Sequence, residues 1–306
     1  MRPSWVAGST RARLLAGRRL GPEGIRPLAG ADGLSEALAL LDGTTYAPAA
    51  AAATLEDAER ALAAVVLFEL RLLLGWLPSS GRGLARSLGA WFELVNVEDR
   101  LAYLRGGPLL PPFELGALAS AWPRARAAGS PAELRETLRA SAWGDPGGDE
   151  VAALHVGLRL AWARRLREQA PETRAWVGGA LALLLARGLV EGGRPAGAAR
   201  SAALRDLGER WQAANTIEEL GRVLPPHAGW VLQDAGDAAD LWRLETAWWR
   251  RVGREAEALA HAARDGRAVV VGSVALLALD AVRIAAALAA AAAQDEAARE
   301  VVDALL

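Results

Sequence analysis

Trp91-Phe92-Glu93-Leu94-Val95-Asn96-Val97-Glu98-Asp99-Arg100-Leu101-Ala102-Tyr103-Leu104-Arg105-Gly106-Gly107 is the stretch on which the fold turns. It is too long for an ordinary strand and is spaced for a helix: Phe92, Val95, Asp99 and Ala102 fall near one face, with Glu98 and Arg105 on the flank. Trp91, Phe92, Leu94, Leu101 and Leu104 leave little polar surface, so this helix is expected to be mostly buried. Asn96 then lies in or beside a core and must be hydrogen-bonded. Its structural reading is a residue capping a neighbouring helix; its functional reading is a contact to a partner protein.

Outward from that helix the composition points the same way. Ala, Leu, Arg and Gly dominate the 306 residues, 52% are hydrophobic, and β-branched residues are scarce. That favours helices with a real core and predicts an all-α fold. Every basic residue is Arg and Cys is absent. Without Lys there is no Walker A loop, no Schiff-base lysine and no Ser-x-x-Lys pair. Without Cys there is no thiol nucleophile, thiolate metal site or disulfide. A net charge of −1 speaks against a general nucleic-acid binder. The segment from Trp5 to Leu20 is locally basic, with Arg11, Arg13, Arg18 and Arg19, and offers one face to an acidic partner. No uninterrupted apolar stretch follows those arginines, so a signal peptide is not expected.

Several runs are apolar enough to raise the question of a membrane. Glu69 and Arg71 interrupt Ala61–Leu77, Trp176–Leu185 is too short, and Asp280 and Arg283 sit near the centre of Ala268–Ala293. These read as buried helices of a soluble protein rather than as spans.

Gly and Pro gather at Gly21-Pro22, Gly106-Gly107-Pro108, Gly144-Asp145-Pro146, Gly192-Gly193-Arg194-Pro195 and Pro225-Pro226, and divide the chain into segments of helical length. Three starts look alike: Asp32-Gly33-Leu34-Ser35-Glu36, Ser130-Pro131-Ala132-Glu133 and Asn215-Thr216-Ile217-Glu218-Glu219. Each sets a polar cap before an acidic first turn, and Ser130 with Glu133 and Asn215 with Glu218 have capping-box spacing. Longer helices follow from Leu55, Glu150 and Leu241. The starts recur about every ninety residues, as three copies of a small helical domain would. The expected division is 1–110, 111–200 and 201–306.

Three places along the chain resemble one family. Trp5-Val6-Ala7-Gly8-Ser9-Thr10-Arg11-Ala12-Arg13-Leu14-Leu15, followed by Leu40-Leu41-Asp42-Gly43-Thr44-Thr45-Tyr46, is similar to the opening of the C-subunit family of the V/A-type rotary ATPases, whose eukaryotic vacuolar counterpart is the d-subunit. The Trp91–Gly107 stretch resembles that family's aromatic, acidic, Asn-aliphatic run. Leu276-Leu277-Ala278-Leu279-Asp280-Ala281-Val282-Arg283-Ile284 resembles its final helix, where an acid and an Arg lie one turn apart. Phe113 to Gly193 matches only vaguely, and the last helix ends in an Ala-rich tract where the family carries more charge. The resemblance implies three similar helical domains of about 100 residues in a pseudo-threefold funnel. It implies a non-catalytic central-stalk adaptor, cytoplasmic and peripheral at the inner face of the membrane. Such an adaptor joins the shaft subunits to the proteolipid ring for ATP-linked ion transport, proton transport among it. No cofactor, metal or catalytic residue is implied. The candidate partner residues are Arg11, Arg13, Asn96, Arg105, Asp280 and Arg283. Asp280 and Arg283 can also simply pair at i, i+3, and Arg11 and Arg13 can pair with nearby acids.

Two other classes compete. One is a free-standing all-α scaffold or regulator. The other is an enzyme: His155, His227 and His261 are scattered, but Asp234, Asp237 and Asp240 have helical i, i+3, i+6 spacing, the pattern of a magnesium-binding helix in isoprenoid-type synthases. Gly236 interrupts that run and no second metal motif follows, so capping or solvated acids are the plainer reading.

Overall fold

The structure, a computed structural model, describes residues 5–191, 194–195, 197–233, 235–236, 239 and 241–306. Every regular element among them is helical, and no strand occurs among them. In chain order the helices are α1 Val6–Ala16, α2 Gly21–Ala29, α3 Leu34–Ala39, α4 Ala47–Ala50, α5 Leu55–Leu74, α6 Arg82–Leu104, α7 Trp122–Ala125, α8 Pro131–Arg139, α9 Val151–Gln169, α10 Arg174–Val190, α11 Gly197–Leu207, α12 Ile217–Val223, α13 Pro226–Gly229, α14 Leu241–Ala260, α15 Arg267–Ala293 and α16 Glu296–Leu305.

The chain forms two compact units. One unit joins Met1–Arg82 to Glu245–Leu306; the other is the continuous stretch Gly83–Leu244. In the first, α15 is the centre, with α1, α2, α3, α5 and α16 packed on it. Its sequence explains the position. A helix apolar on all sides has no face to give to water, and Leu276, Leu277, Ile284 and Leu288 are buried together with Ser273 and Asp280. At Gly272 a Cβ would lie 2.5 Å from the Ala256 carbonyl oxygen, so α14 crosses α15 at backbone distance. Gly8 does the same for α1: a Cβ there would sit 2.7 Å from the Leu77 side chain. α15 ends at Gln294, whose left-handed φ of 54° closes the helix while its amide donates to the Ala31 carbonyl at 3.0 Å.

In the second unit Leu94, Val97 and Leu101 of α6 form a core with Ala121, Ala125, Leu134, Leu138, Trp143, Leu154 and Leu158. Of the helix at 91–104, Phe92, Leu94 and Leu101 are buried as the sequence indicates, whereas Trp91 is exposed and Leu104 half-buried. The loop before α9 lies flat on it, since a Cβ at Gly157 would fall 1.9 Å from the Pro146 carbonyl oxygen. α10 packs on α9, α12 and α13.

Among the described residues two helices are long and apolar enough to cross a membrane, Pro171–Val190 and Arg267–Ala293, with 56% and 67% of their apolar windows buried inside the protein. The first corrects the expectation drawn from Trp176–Leu185: the helix continues past that apolar run at both ends, because Arg174 and Arg187 are good helix formers and do not stop it.

The three starts recur as local structure. The backbone N–H of Asp32, Gly129 and Asn215 donates to the carboxylate of the Glu four residues on: Glu36 at 2.6 Å, Glu133 at 2.8 Å and Glu219 at 2.8 Å. Ser130 caps α8 through the Glu133 N–H as its spacing predicts. In the third start the cap is Thr216 with Glu219 rather than Asn215 with Glu218; the Thr hydroxyl holds the extended position that a cap requires. In the first start the capping position is Gly33, at φ 100°.

Candidate functional site

Glu69, Glu93 and Asp280 are the carboxylates buried among the described residues, and Glu93 and Asp280 each hold a definite set of donors. Glu93 of α6 is 1% exposed. One oxygen accepts the backbone N–H groups of Ser120, Ala121 and Trp122, each at 2.7 Å. The other accepts the Ser120 hydroxyl and the Trp143 indole N–H, the latter at 2.8 Å. The free N–H groups at the start of α7 are thereby satisfied by an anion at a helix N-terminus.

Asp280 of α15 does the same in the other unit. Fully buried, it accepts the N–H groups of Leu20 at 2.8 Å and Gly21 at 3.0 Å, at the start of α2. Tyr46 lies beside it as Trp143 lies beside Glu93. Burial first, then the Asp280 charge, push the Tyr46 hydroxyl far above the ordinary phenol range, although its oxygen meets no partner at hydrogen-bond geometry. The turns carrying the two aromatics match. Thr44 and Ser141 hydroxyls donate to the carbonyls of Leu41 and Leu138, both at 2.7 Å, and accept the N–H of Tyr46 at 3.0 Å and of Trp143 at 3.1 Å.

The third start departs from this. Eight residues after Glu219, where Thr44 and Ser141 follow Glu36 and Glu133, stands His227; where the aromatic would stand is Gly229. The helix packed there, α10, offers no acid but Gly178, where a Cβ would meet the His227 carbonyl oxygen at 2.3 Å. The acid is absent and backbone contact fills its place, while the aromatic is displaced by one residue: the Trp230 indole N–H donates to the Ala175 carbonyl of α10 at 3.1 Å. Burial, with Arg174 and Arg167 adding to it, holds the His227 imidazole below its ordinary pKa and so favours the neutral ring.

The residues expected at a partner interface are all engaged within the chain. Arg11 pairs with buried Glu69 at 3.2 Å, which Arg18 also approaches at 3.8 Å. Arg13 pairs with Asp265 at 2.7 Å and donates to the carbonyls of Ala260 and Ala262, closing the end of α14. Asn96 is 1% exposed and clamps Phe113 from both sides, donating to its carbonyl at 2.9 Å and accepting its N–H at 2.7 Å. Asn96 thus ties α6 to a non-helical segment rather than capping a neighbouring helix, and a residue so enclosed is not a surface contact. Arg105 reaches the Asp149 carbonyl and the Glu150 carboxylate at 3.0 and 2.9 Å. Asp280 and Arg283 do not pair: Arg283 turns to the carbonyl of Leu305 at 2.8 Å and caps the end of α16. The helical geometry allows the pair, but backbone groups at two helix ends take each charge instead. Burial pulls the Arg283 guanidinium below its ordinary pKa, and Asp280 opposes the shift.

One half-buried polar cluster has no counterpart among the sequence expectations. Glu98 accepts from Arg159 and from His155, the latter at 2.8 Å, and the Arg159 guanidinium lies 5.3 Å from the centre of the Trp91 ring, which meets Trp162 edge-on. Burial raises the Glu98 carboxyl, but His155 and Arg159 together outweigh it and hold it below the usual range. Glu98 and Arg159 are far apart in sequence, and only a helix-to-helix pairing joins them.

Two open clefts lie in the second unit. One of about 300 Å³ is lined by Arg135, Glu136, Arg139 and Asp145, whose charges pair with one another. One of about 400 Å³ is lined by Arg86, Arg164, Arg165 and Glu168. Among the described residues no three His, Cys, Asp or Glu groups stand close enough to hold a metal ion. Asp234, Asp237 and Asp240 lie outside the described residues. No protein-family model matches the chain, and no curated protein matches it in sequence.

Proposed function

We propose that the chain is a non-catalytic central-stalk adaptor of the V/A-type rotary-ATPase kind, passing torque between a shaft and a membrane ring. One observation carries this reading: the order in which helices engage one another along the chain. α6, which closes the first set of helices, holds the start of α7 through Glu93. α10, which closes the second, packs on α12 and α13. α15, which closes the third, holds the start of α2 through Asp280. Each of these closing helices engages a helix start outside its own stretch of sequence, a recurrence that supports the three-domain reading. A socket of that kind needs rigid helix junctions more than reactive groups, and buried carboxylates with every oxygen occupied supply rigidity.

A free-standing helical scaffold is the second reading. It is favoured by the internal engagement of Arg11, Arg13, Asn96, Arg105, Asp280 and Arg283, each of which already has a hydrogen-bond partner within the chain. The deciding experiment is affinity purification of the tagged protein from gently solubilised native membranes with mass spectrometry of what accompanies it. Catalytic, shaft and proteolipid subunits recovered together support the adaptor; the chain recovered alone supports the scaffold.

A further inference from the structure

Helix α1 lies antiparallel along the second half of α5: Gly8 touches Leu77, while Arg11 and Arg18 both reach Glu69. Arg11 and Leu14 share the α1 face turned to that seam, at i and i+3, and Arg18 follows in the turn after the helix. On α5 and the turn after it, Phe68, Leu72 and Trp76 follow at every fourth residue, about 12 Å end to end at 1.5 Å per residue. All four apolar side chains are open to solvent: Leu14 by 57%, Phe68 by 55%, Leu72 by 40% and Trp76 by 56%. Nothing in their own packing calls for that exposure, since the opposite face of α5 already buries Leu62, Val66, Leu70 and Leu73.

The charge around the patch is net positive. Residues 5–20 contain no acid, and Glu69 is the single acid in residues 64–77. Arg13 and Arg19 are neutralised by Asp265 and Glu257. Arg11, Arg18 and Arg71 remain against buried Glu69, a net of +2, with Arg18 and Arg71 exposed. Trp and Phe rings with Leu between them and arginines at the rim are the chemistry of the bilayer interface. There aromatic rings sit at headgroup level and guanidinium groups meet lipid phosphate.

We propose that this α1–α5 face binds an anionic membrane surface directly, as a peripheral contact made by exposed side chains. The inference does not depend on the rotary-ATPase reading, because it concerns lipid alone and is tested without any protein partner. The test is co-sedimentation of the full-length protein with phosphatidylcholine vesicles, with and without phosphatidylserine. Binding to the anionic vesicles is expected, with little to the neutral ones, and it falls as salt is raised. The double variant Phe68→Ser, Trp76→Ser and the single variant Arg71→Glu are each expected to bind about tenfold more weakly or worse. Leu40→Ser, at an exposed apolar residue outside the patch, is expected to bind as the parent does. Circular dichroism establishes that each variant is folded. Failure of the parent to bind anionic vesicles overturns the proposal, as does unchanged binding by both patch variants. Loss of a protein partner by those variants, with no vesicle binding by the parent, assigns the face to that protein instead.

Discussion

Glu93 and Glu98 are one helical turn and a half apart on α6, yet their environments ask different things of a carboxylate. Glu93 accepts five hydrogen bonds in the core. Glu93→Gln turns one acceptor into a donor against N–H groups that have no other partner, so unfolding in urea should show a loss of about 3 kcal/mol. Trp143→Phe removes a single donor and leaves the rest, and about 1–2 kcal/mol is expected. Glu98 instead works near the surface. Its pKa is lowered in the folded state, so its contribution is complete above the unfolded value of about 4.3 and disappears as pH falls through the lower folded value. An acid titration of stability should be shallower in Glu98→Gln over that window; identical profiles would mean that the His155 and Arg159 contacts do not form in solution. From sequence, Asn96 is readable as a residue needing partners because it is polar among apolar neighbours. Glu93 carries the same signal, but its identity as a cap depends on Ser120 to Trp122, which no local pattern ties to it.

At the scale of elements, glycines decide how closely helices approach. Gly272→Ala puts a methyl group 2.5 Å from the Ala256 carbonyl and 2.6 Å from the Ala260 nitrogen, both backbone atoms that cannot step aside. Separating α14 from α15 should cost about 1–3 kcal/mol or more, visible as a lower thermal midpoint. Gly83→Ala is the matched contrast, since it meets only the flexible end of Gln169, at 2.6 Å, and should be nearly neutral. The existence and type of the long helices are legible because α5, α6, α9 and α15 are periodic or wholly apolar and end at Gly, Pro or polar caps. The shift of the third cap by one residue is not, because Asn215 and Thr216 are both good caps and both precede a Glu at the right distance. Charge pairing is the least legible: Asp280 and Arg283 look like partners on one helix, while each serves a helix terminus brought near by the fold.

For the whole molecule, the similar starts announce the threefold recurrence of local structure, but they do not reveal which stretches cohere. Compactness joins the first 82 residues to the last part of the chain, since α15, on which α1, α2, α3 and α5 pack, is contributed from residues 267–293. A fragment of residues 83–244 is therefore expected to show helical circular dichroism and cooperative unfolding by itself, whereas residues 1–82 alone should not; a folded 1–82 fragment would refute the central place given to α15. The same connectivity bears on the order of events during synthesis. The stretch 83–244 can fold while still attached to the ribosome, but the helices before it must wait, with their apolar faces uncovered, until α15 has emerged. The interval between translation of α5 and release of α15 is thus when a nascent chain of this protein most needs a chaperone.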